Sequence, residues 1–207
     1  MNQQLHRERI LDVADLALDT PLLSLCTSGS SGEPKRIDKT LRQIANEVQA
    51  LEQLWGADLG QACIIGSVAT QHIYGLLFRV LWPLAAGRLL GTDFLRYPEE
   101  LVAQLSVPGP ALLISSPAML SRLPDHLDWA AASQGLRGIF SSGGPLPPDA
   151  SAQSLALLGH SPTEVFGSSE KDGVLTLPGC CSSTWATCRS KCESRNCAGL
   201  TLTLSRR

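Results

Sequence analysis

The chain has 207 residues, of which 43% are hydrophobic, so it can form one packed domain or a large fragment of one. Its formal net charge is −2 and its basic residues are scattered, which does not indicate nucleic acid or an anionic membrane as a partner. The polar N-terminus lacks an apolar signal region, and Arg79, Pro83 and Arg88 interrupt the longest apolar stretch. We therefore expect a cytoplasmic protein with no membrane span.

The first predicted elements are two strands and a helix. The apolar run over residues 22–26 predicts a buried strand, and residues 35–39 predict a short strand that returns from the loop between them. Apolar residues then recur at spacings of three and four over residues 41–54, which predicts a helix. The helix begins at a capping box on Thr40 and is predicted to stop at Gly56.

Strands and helices alternate along the rest of the chain. The predicted elements are a strand at 62–69, a helix at 73–81 closed by Pro83, a helix at 98–105, a strand at 111–115, a short helix at 117–123, a strand at 137–140, a helix from about 149 and a strand at 163–166. This alternation predicts an α/β fold with a mainly parallel sheet flanked by helices.

Three polar, glycine-bearing loops follow predicted strands, at residues 27–35, 141–148 and 167–170. Ligands of parallel sheets gather beyond the carboxyl ends of the strands, so we expect these loops to share one crevice. In the first loop, glycines, hydroxyl side chains and Lys35 suit a polyphosphate, although a plain surface turn has a similar composition. The spacing differs from that of the nucleotide P-loop.

Four segments, in order, resemble the motifs of the adenylate-forming enzymes, which include acyl- and aryl-CoA synthetases, nonribosomal-peptide adenylation domains and firefly luciferase. TSGSSGEPK (27–35) resembles their phosphate loop, and QHIYGLLF (71–78) is similar to their His-and-aromatic segment. SSGGPLPP (141–148) resembles their Gly-Gly-x-Pro-Leu turn, and VFGSSE (165–170) resembles their Tyr-Gly-x-Thr-Glu motif. The resemblance covers roughly residues 20–170 and implies the N-terminal large-domain portion of such an enzyme.

The resemblance implies ATP-dependent activation of a carboxylic acid. In this family the carboxylate attacks the α-phosphorus of ATP, pyrophosphate leaves, and the acyl-adenylate passes its acyl group to a thiol. ATP and Mg²⁺ are therefore the implied cofactors, and coenzyme A or the phosphopantetheine of an acyl carrier protein is the implied acceptor. The small-molecule acid stays open between aryl and medium-chain fatty acids. The chemistry needs charge neutralisation on phosphate oxygens rather than a covalent protein nucleophile.

The resemblance also implies site residues. Those expected at the β- and γ-phosphates are Thr27, Ser28, Gly29, Ser30, Ser31, Gly32 and Lys35. Those expected around the adenine and the α-phosphate are Gly143, Gly144, Phe166, Gly167, Ser168 and Ser169. Glu170 is expected to bind Mg²⁺ and, with Lys35, to serve catalysis. His72, Tyr74 and Gly75 are expected to border the acyl pocket.

Each of these residues also has a structural interpretation. A single histidine in an apolar segment, such as His72, is often a hydrogen-bonded structural residue. Tyr74 can be ordinary helix packing, Phe166 can be core, and Glu170 can be a solvated loop acid.

Two family features have no counterpart in the sequence. There is no Thr-Gly-Asp motif, since residues 91–94 have a different order, and there is no room for the small domain that carries the C-terminal lysine. We therefore expect the central part of such an enzyme, truncated and poorly active on its own. The alternative function is a non-catalytic nucleotide- or acyl-binding module derived from the same fold.

The predicted domain boundary lies at residue 170. Residues 1–170 are expected to form a partial AMP-binding α/β domain, and residues 171–207 a Cys/Ser/Thr-rich tail that is out of frame or disordered. The tail holds five of the seven cysteines but no C-x-x-C pair for zinc, and a disulfide knot would need an exported protein. Cys26 and Cys63 are predicted to be small core residues.

Overall fold

The computed structural model of the chain describes residues 18–27, 35–167 and 174–176. These divide into two compact units, Met1–Ala45 and Asn46–Arg207. The first unit contains a hairpin in which β1 (Pro21–Thr27) pairs antiparallel with β2 (Lys35–Thr40). Helix α1 (Leu41–Leu59) starts in the first unit and continues in the second.

Strand β1 is present as predicted, but it is not buried. Its side chains alternate: Leu25 is 8% exposed, whereas Leu22 is 61% exposed and Cys26 is also exposed. Alternation is typical of an antiparallel ribbon with one covered face. On the exposed face, Asp38 of β2 accepts hydrogen bonds from Ser24 (2.6 Å) and Arg36 (2.9 Å). The predictions of a buried strand and of a core Cys26 are therefore wrong.

The second unit is built on one sheet in the order β4-β3-β5-β6-β7-β8. Five strands are parallel, and β8 pairs antiparallel with β7. The strands are β3 (Cys63–Gly66), β4 (Leu90–Phe94), β5 (Ala111–Ser115), β6 (Leu136–Ser141), β7 (Thr163–Gly167) and β8 (Val174–Thr176). The predicted α/β fold with a mainly parallel sheet is confirmed. Strand β8 lies within the segment predicted as an irregular tail.

Helices connect the strands and cover both faces of the sheet. After α1 they are α2 (Ile73–Leu76), a π-helical turn (Leu77–Leu81), α3 (Trp82–Ala85), α4 (Pro98–Leu105), α5 (Pro117–Leu120), α6 (Trp129–Ala132), a 3₁₀ turn (Ser133–Gly135) and α7 (Pro148–Leu158). None of the helices in the described part of the chain is both long enough and apolar enough to span a bilayer.

Two predicted helix ends are wrong. Helix α1 passes through Gly56 and ends at Leu59. The helix that begins at Ile73 does not close at Pro83, because the π-helical turn precedes this proline and the N–H of Trp82 donates to the carbonyl of Leu77. Proline has no N–H, and the wider turn places Pro83 in the first turn of α3, where a missing donor is tolerated.

The sheet separates two hydrophobic clusters. One face packs Ile65, Leu113 and Ile139 against α4 to α7. The other face packs Ile64, Leu112, Ile114, Phe140 and Val165 against α1, the π-helical turn and α3, where Trp55, Phe78, Trp82 and Phe140 form an aromatic group. All five residues of β5 are buried, as expected for a central parallel strand. Cys63 is partly buried and packs against the first cluster.

Candidate functional site

The order in which the chain adds strands to the sheet reverses between β3 and β5. From β3 the chain crosses to β4 on one side, whereas from β5 it crosses to β6 on the other side. Connections that leave two adjacent parallel strands in opposite directions open a crevice, which is the usual ligand site of such sheets. We call the carboxyl end of the parallel strands the carboxyl edge and the opposite end the amino edge.

Three serines form a row across the carboxyl edge. Ser67 follows β3, Ser115 ends β5 and Ser141 ends β6, and Ser115 pairs in register with Ser141. The hydroxyls of Ser67 and Ser115 lie 2.9 Å apart and share a hydrogen bond. The hydroxyl of Ser141, a residue that is 1% exposed, has no hydrogen-bond partner within the described residues. A native buried group of this kind requires an explanation, and a ligand or water can supply the missing bond.

Tyr74, in α2, brings a second hydroxyl of this kind to the carboxyl edge. The centroid of its ring lies 5.0 Å from that of Phe78. Its hydroxyl is buried and has no hydrogen-bond partner within the described residues. Burial raises the pKa of the Tyr74 phenol well above its usual value, and the nearby backbone of Ser115 offsets this only in part. The phenol is therefore neutral at physiological pH and can donate a hydrogen bond.

His72 and Gly75 lie at the start of the same helix. The side chain of His72 is exposed, which does not fit a structural histidine in the core, and its carbonyl accepts the N–H of Leu76 at 2.8 Å. Gly75 is buried, and a Cβ atom here would lie 2.0 Å from the carbonyl oxygen of Ala69. Glycine therefore lets the connection from β3 to α2 pack directly against the helix.

Arg79, in the π-helical turn, is buried at the carboxyl edge. Its Nη1 donates to the carbonyl of Val68 at 2.6 Å, and its Nη2 donates to the carbonyls of Asp93 at 2.7 Å and Gly91 at 3.3 Å. Its Nε has no hydrogen-bond partner among the described residues. Burial lowers the pKa of the guanidinium, and the carboxylate of Asp93 partly offsets this. Arg79 thus links the segment that follows β3 to strand β4.

The predicted glycine turn follows β6. Gly143 has a φ of +93°, a conformation that favours glycine, and a Cβ atom added here would have no neighbour within 4 Å among the described residues. At Gly144 the nearest described atom is Cγ of Pro117, at 4.0 Å. The turn is attached to the next strand, because the N–H of Leu146 donates to Oε2 of Glu164 in β7 at 3.1 Å. The turn after β6 is therefore fixed to β7 at the carboxyl edge.

Several predicted residues lie outside the described residues. These are Ser28, Gly29, Ser30, Ser31, Gly32, Ser168, Ser169 and Glu170. Thr27 and Lys35 are register partners at the ends of β1 and β2, and Phe166 and Gly167 belong to β7. The structure thus brings the glycine turn and the start of the VFGSSE motif together on adjacent strands β6 and β7.

The serine row, Arg79 and Glu164 lie outside the set of site residues predicted from the sequence. Arg79 had a usable signal, since a charged residue inside the apolar helical run of 73–81 must be either exposed or partnered. The serines had none, because they come from three separate strands and only the strand order brings them together. Within the described residues no group of three or more His, Cys, Asp or Glu side chains forms a metal site.

Comparison with known proteins agrees with this architecture. The family model described as AMP-binding enzyme matches residues 3–201. A 4-coumarate–CoA ligase from Rhodobacter capsulatus is 36% identical over 151 residues, which is 72% of this chain and 37% of that protein.

Two solved structures share the fold. ATP-bound MatB from Rhodopseudomonas palustris has a TM-score of 0.68 and 21% identity, covering 80% of this chain and 33% of that one. A malonyl-CoA ligase with methylmalonyl-CoA and AMP bound has a TM-score of 0.64 and 25% identity, covering 72% of this chain and 33% of that one. The chain thus spans little more than a third of the length of these relatives. Because the family match takes in nearly the whole sequence, the chain belongs to the AMP-binding enzyme family of the adenylate-forming superfamily.

Proposed function

We propose that this chain supplies part of the nucleotide and acid sites of an ATP-dependent acid–thiol ligase. The whole enzyme would join a carboxylic acid to AMP and then transfer the acyl group to coenzyme A or a carrier-protein phosphopantetheine. The observation that carries the proposal is the open glycine turn at Gly143. This turn is hydrogen-bonded to Glu164 of β7 and lies on the same edge of the sheet as the reversal in strand order. Because ATP and coenzyme A are cytoplasmic cosubstrates, the proposal retains the predicted cytoplasmic location.

In this proposal the nucleotide lies across the ends of β6 and β7. The backbone of Gly143 and Gly144 would pass close to the adenine, and the ring of Phe166 would stack on it. Gly167, Ser168 and Ser169 would then approach the α-phosphate, and Glu170 would hold Mg²⁺ through a hard oxygen ligand. The loop from Thr27 to Gly32 would surround the β- and γ-phosphates, with Lys35 adding a positive charge.

The acid would lie in the crevice between β3 and β5. Tyr74, with His72 and Gly75 beside it, would form one wall, and the serine row would form the floor. The named relatives act on aryl and short dicarboxylic acids, 4-coumarate and malonate, which makes these acids rational first probes. The buried hydroxyls of Tyr74 and Ser141 would be hydrogen-bonded once the acid or its associated water is in place.

The second candidate is a binding module without ligase activity. Its support is that the carboxyl edge offers glycine backbone and neutral hydroxyl groups, which can bind a ligand without catalysing a reaction. Groups that act together in a transition state do not contribute additively, so binding by some of them does not imply adenylation.

Calorimetric titration with ATP–Mg²⁺, AMP and GTP tests the shared part of both candidates. We expect both adenine nucleotides to bind and GTP to bind more weakly. Acid-dependent pyrophosphate exchange with 4-coumarate, benzoate and malonate then separates the two candidates. Binding with exchange supports the ligase, and binding without exchange supports the module. No adenine-nucleotide binding at millimolar concentration would contradict both.

Substitution of Lys35 by alanine tests the phosphate placement. We expect Lys35→Ala to weaken ATP binding about tenfold or more, since a charge-assisted contact contributes about 1.5–3 kcal/mol, and to leave AMP binding nearly unchanged. Arg36→Ala is the control, because Arg36 lies next in sequence and its side chain pairs with Asp38. Equal weakening of ATP and AMP would reject this role for Lys35.

A further inference from the structure

We propose that Arg79 is a positioning residue that fixes the wall of the acid site by holding the backbone connection between β3 and Tyr74. The inference rests on the proposed function, because it assumes that the crevice between β3 and β5 receives the acid. Arg79 touches neither Ser115 nor Ser141 through any described hydrogen bond, so its effect on the acid would be indirect.

The contacts of Arg79 show what it holds. Its guanidinium bonds the carbonyl of Val68, one residue after Ser67 in the serine row, and two carbonyls of β4. The next part of the connection packs on α2 through Ala69 and Gly75, where the helix leaves no room for a Cβ atom. The segment from Ser67 to Tyr74 is therefore fastened at two points, by one guanidinium and by one glycine contact.

The charge of Arg79 is not needed for packing. The residue is 4% exposed, and no carboxylate in the described residues forms an ion pair with it. Burying a cation against neutral carbonyls costs more than filling the same volume with an apolar side chain. What the guanidinium adds is a planar fork whose fixed geometry joins three carbonyls of two backbone segments, which a point charge such as that of lysine cannot do.

The π-helical turn makes this arrangement possible. The wide turn contains three consecutive buried residues, Leu77, Phe78 and Arg79. Phe78 then packs against Tyr74 while Arg79 reaches the strand ends. The same turn therefore sets the ring of Tyr74 and the anchor of the connection that leads to it. Such turns are frequent at functional sites.

The experiment compares Arg79→Lys and Arg79→Gln with Arg88→Lys in the full chain. Arg88 is the matched control, because it is another buried arginine that donates to backbone carbonyls, but at the amino edge. For each variant we would measure urea unfolding, the Kd of AMP, the Kd of 4-coumarate, benzoate and malonate, and hydrogen exchange of the amides of residues 67–74.

We expect all three variants to be less stable than the parent chain. Only the Arg79 variants should weaken the best-bound acid, by about tenfold, while the Kd of AMP changes less than about twofold. Faster exchange over residues 67–74 should accompany this loss and be absent from Arg88→Lys. Lysine and glutamine should have similar effects at position 79, because neither reproduces the fork.

Three results would overturn the inference. Acid binding that survives in Arg79→Lys but not in Arg79→Gln would show a direct charge contact with the acid instead. Acid binding unchanged in both would show a purely structural role. If the parent chain binds none of the three acids, the acid part of the proposed function fails and this inference fails with it, whereas AMP binding reports on the nucleotide part separately.

Discussion

Each edge of the parallel sheet holds one buried arginine, and the two arginines have different partners. At the amino edge, Arg88 donates to the carboxylate of Glu52 and to the carbonyls of Gly60 and Gly56. At the carboxyl edge, Arg79 donates to carbonyls alone, and two hydroxyls nearby have no described partner. Among the described residues, the buried polar groups of the amino edge are hydrogen-bonded to one another, whereas those of the carboxyl edge are not all hydrogen-bonded.

The amino edge is a closed network. Both carboxylate oxygens of Glu52 accept hydrogen bonds from Arg88, and the distance from Nη2 to Oε1 is 2.8 Å. Nε1 of Trp82 donates to Oε2 of Glu52, also at 2.8 Å. Arg88 also lies 5.5 Å above the Trp82 ring. These bonds place a cation at the last carbonyls of α1, where the helix dipole favours it. Hydrogen bonds from Arg88, supported by Trp82, lower the pKa of Glu52 against the opposing effect of burial.

The difference between the edges separates stability from ligand binding. At the amino edge the charged groups and carbonyls are hydrogen-bonded to one another, so a ligand would not stabilise them further. These bonds hold α1 to the segment before β4. At the carboxyl edge, the buried hydroxyls that have no partner within the described residues lower stability until a ligand or water binds them. This is the pattern expected where activity and stability compete. The following experiments test that division.

The largest expected effect is at the amino edge. Arg88→Ala should lower the free energy of unfolding by about 3 kcal/mol, because it leaves a carboxylate and helix carbonyls without their cation, although partial exposure of Glu52 keeps the loss at the low end for a buried pair. Urea unfolding measures the change. Arg96→Ala is the control, since Arg96 is exposed. A loss below about 1 kcal/mol would show that the network contributes little.

A second test couples two residues of the same network. A Cβ atom at position 56 would lie 2.2 Å from Oε1 of Glu52 and would displace the carboxylate from Arg88. Gly56→Ala should therefore destabilise the parent chain slightly but stabilise the Glu52→Ala chain by about 1 kcal/mol, the usual gain of alanine over glycine in a helix. A double-mutant cycle measures the coupling, and additive effects would contradict this account.

The carboxyl edge should respond in the opposite direction. Ser141→Ala removes a buried hydroxyl without a described partner, so the free energy of unfolding should stay unchanged or rise by up to about 1 kcal/mol. Binding of the best-bound acid should weaken in the same variant. Ser154→Ala is the control, because its buried hydroxyl donates to the carbonyl of Ala150 at 2.8 Å. A clear loss of stability in Ser141→Ala would remove the distinction between the edges.

The smallest effect is a pH dependence. Because the pKa of Glu52 is lower in the folded chain than in the unfolded chain, its charge stabilises the fold above the unfolded value of about 4.3. That contribution is lost as the pH falls through the folded pKa. The difference in stability between the parent and Glu52→Gln should be constant from pH 7 to about pH 5 and shrink below about pH 4. Partial exposure limits it to about 0.5 kcal/mol.

Much of the fold was predictable because local signals agree with the tertiary structure. Helix α4 has the predicted bounds, with Pro98 in its first turn and Glu100 accepting the N–H of Tyr97 just before it. Strand β5 is a run of five buried residues, a pattern typical of a central parallel strand. In both cases the pattern that forms the element is also the pattern that buries it.

The predictions that failed concern elements that tertiary contacts, rather than local sequence, form or terminate. Strand β4 was not predicted, because Gly91 and Asp93 are poor strand formers and most of its residues are exposed. It is formed by pairing with β3. Gly56 and Pro83 are strong local stop signals that tertiary contacts override. The glycine turn of the candidate site was predictable from its motif. The role of Glu164 was not, and for Arg79 the sequence indicated only that a partner was needed, because the partners lie 18 and 11 to 14 positions away.

The π-helical turn adds one residue between the two edges. The continuous helical segment from Ile73 to Ala85 carries Tyr74 and Arg79 at one edge and Trp82 at the other. A turn bonded from residue i to residue i+5 takes up one more residue than an α-turn in nearly the same rotation, so the α-turns on either side of it keep nearly the same faces. Deleting one residue from this turn would therefore restore an α-helix in which Trp82 still faces Glu52, whereas the residues within the turn, Arg79 among them, would change direction. The extra residue thus adds an anchor for the binding edge to a helix that keeps its stabilising contact without it.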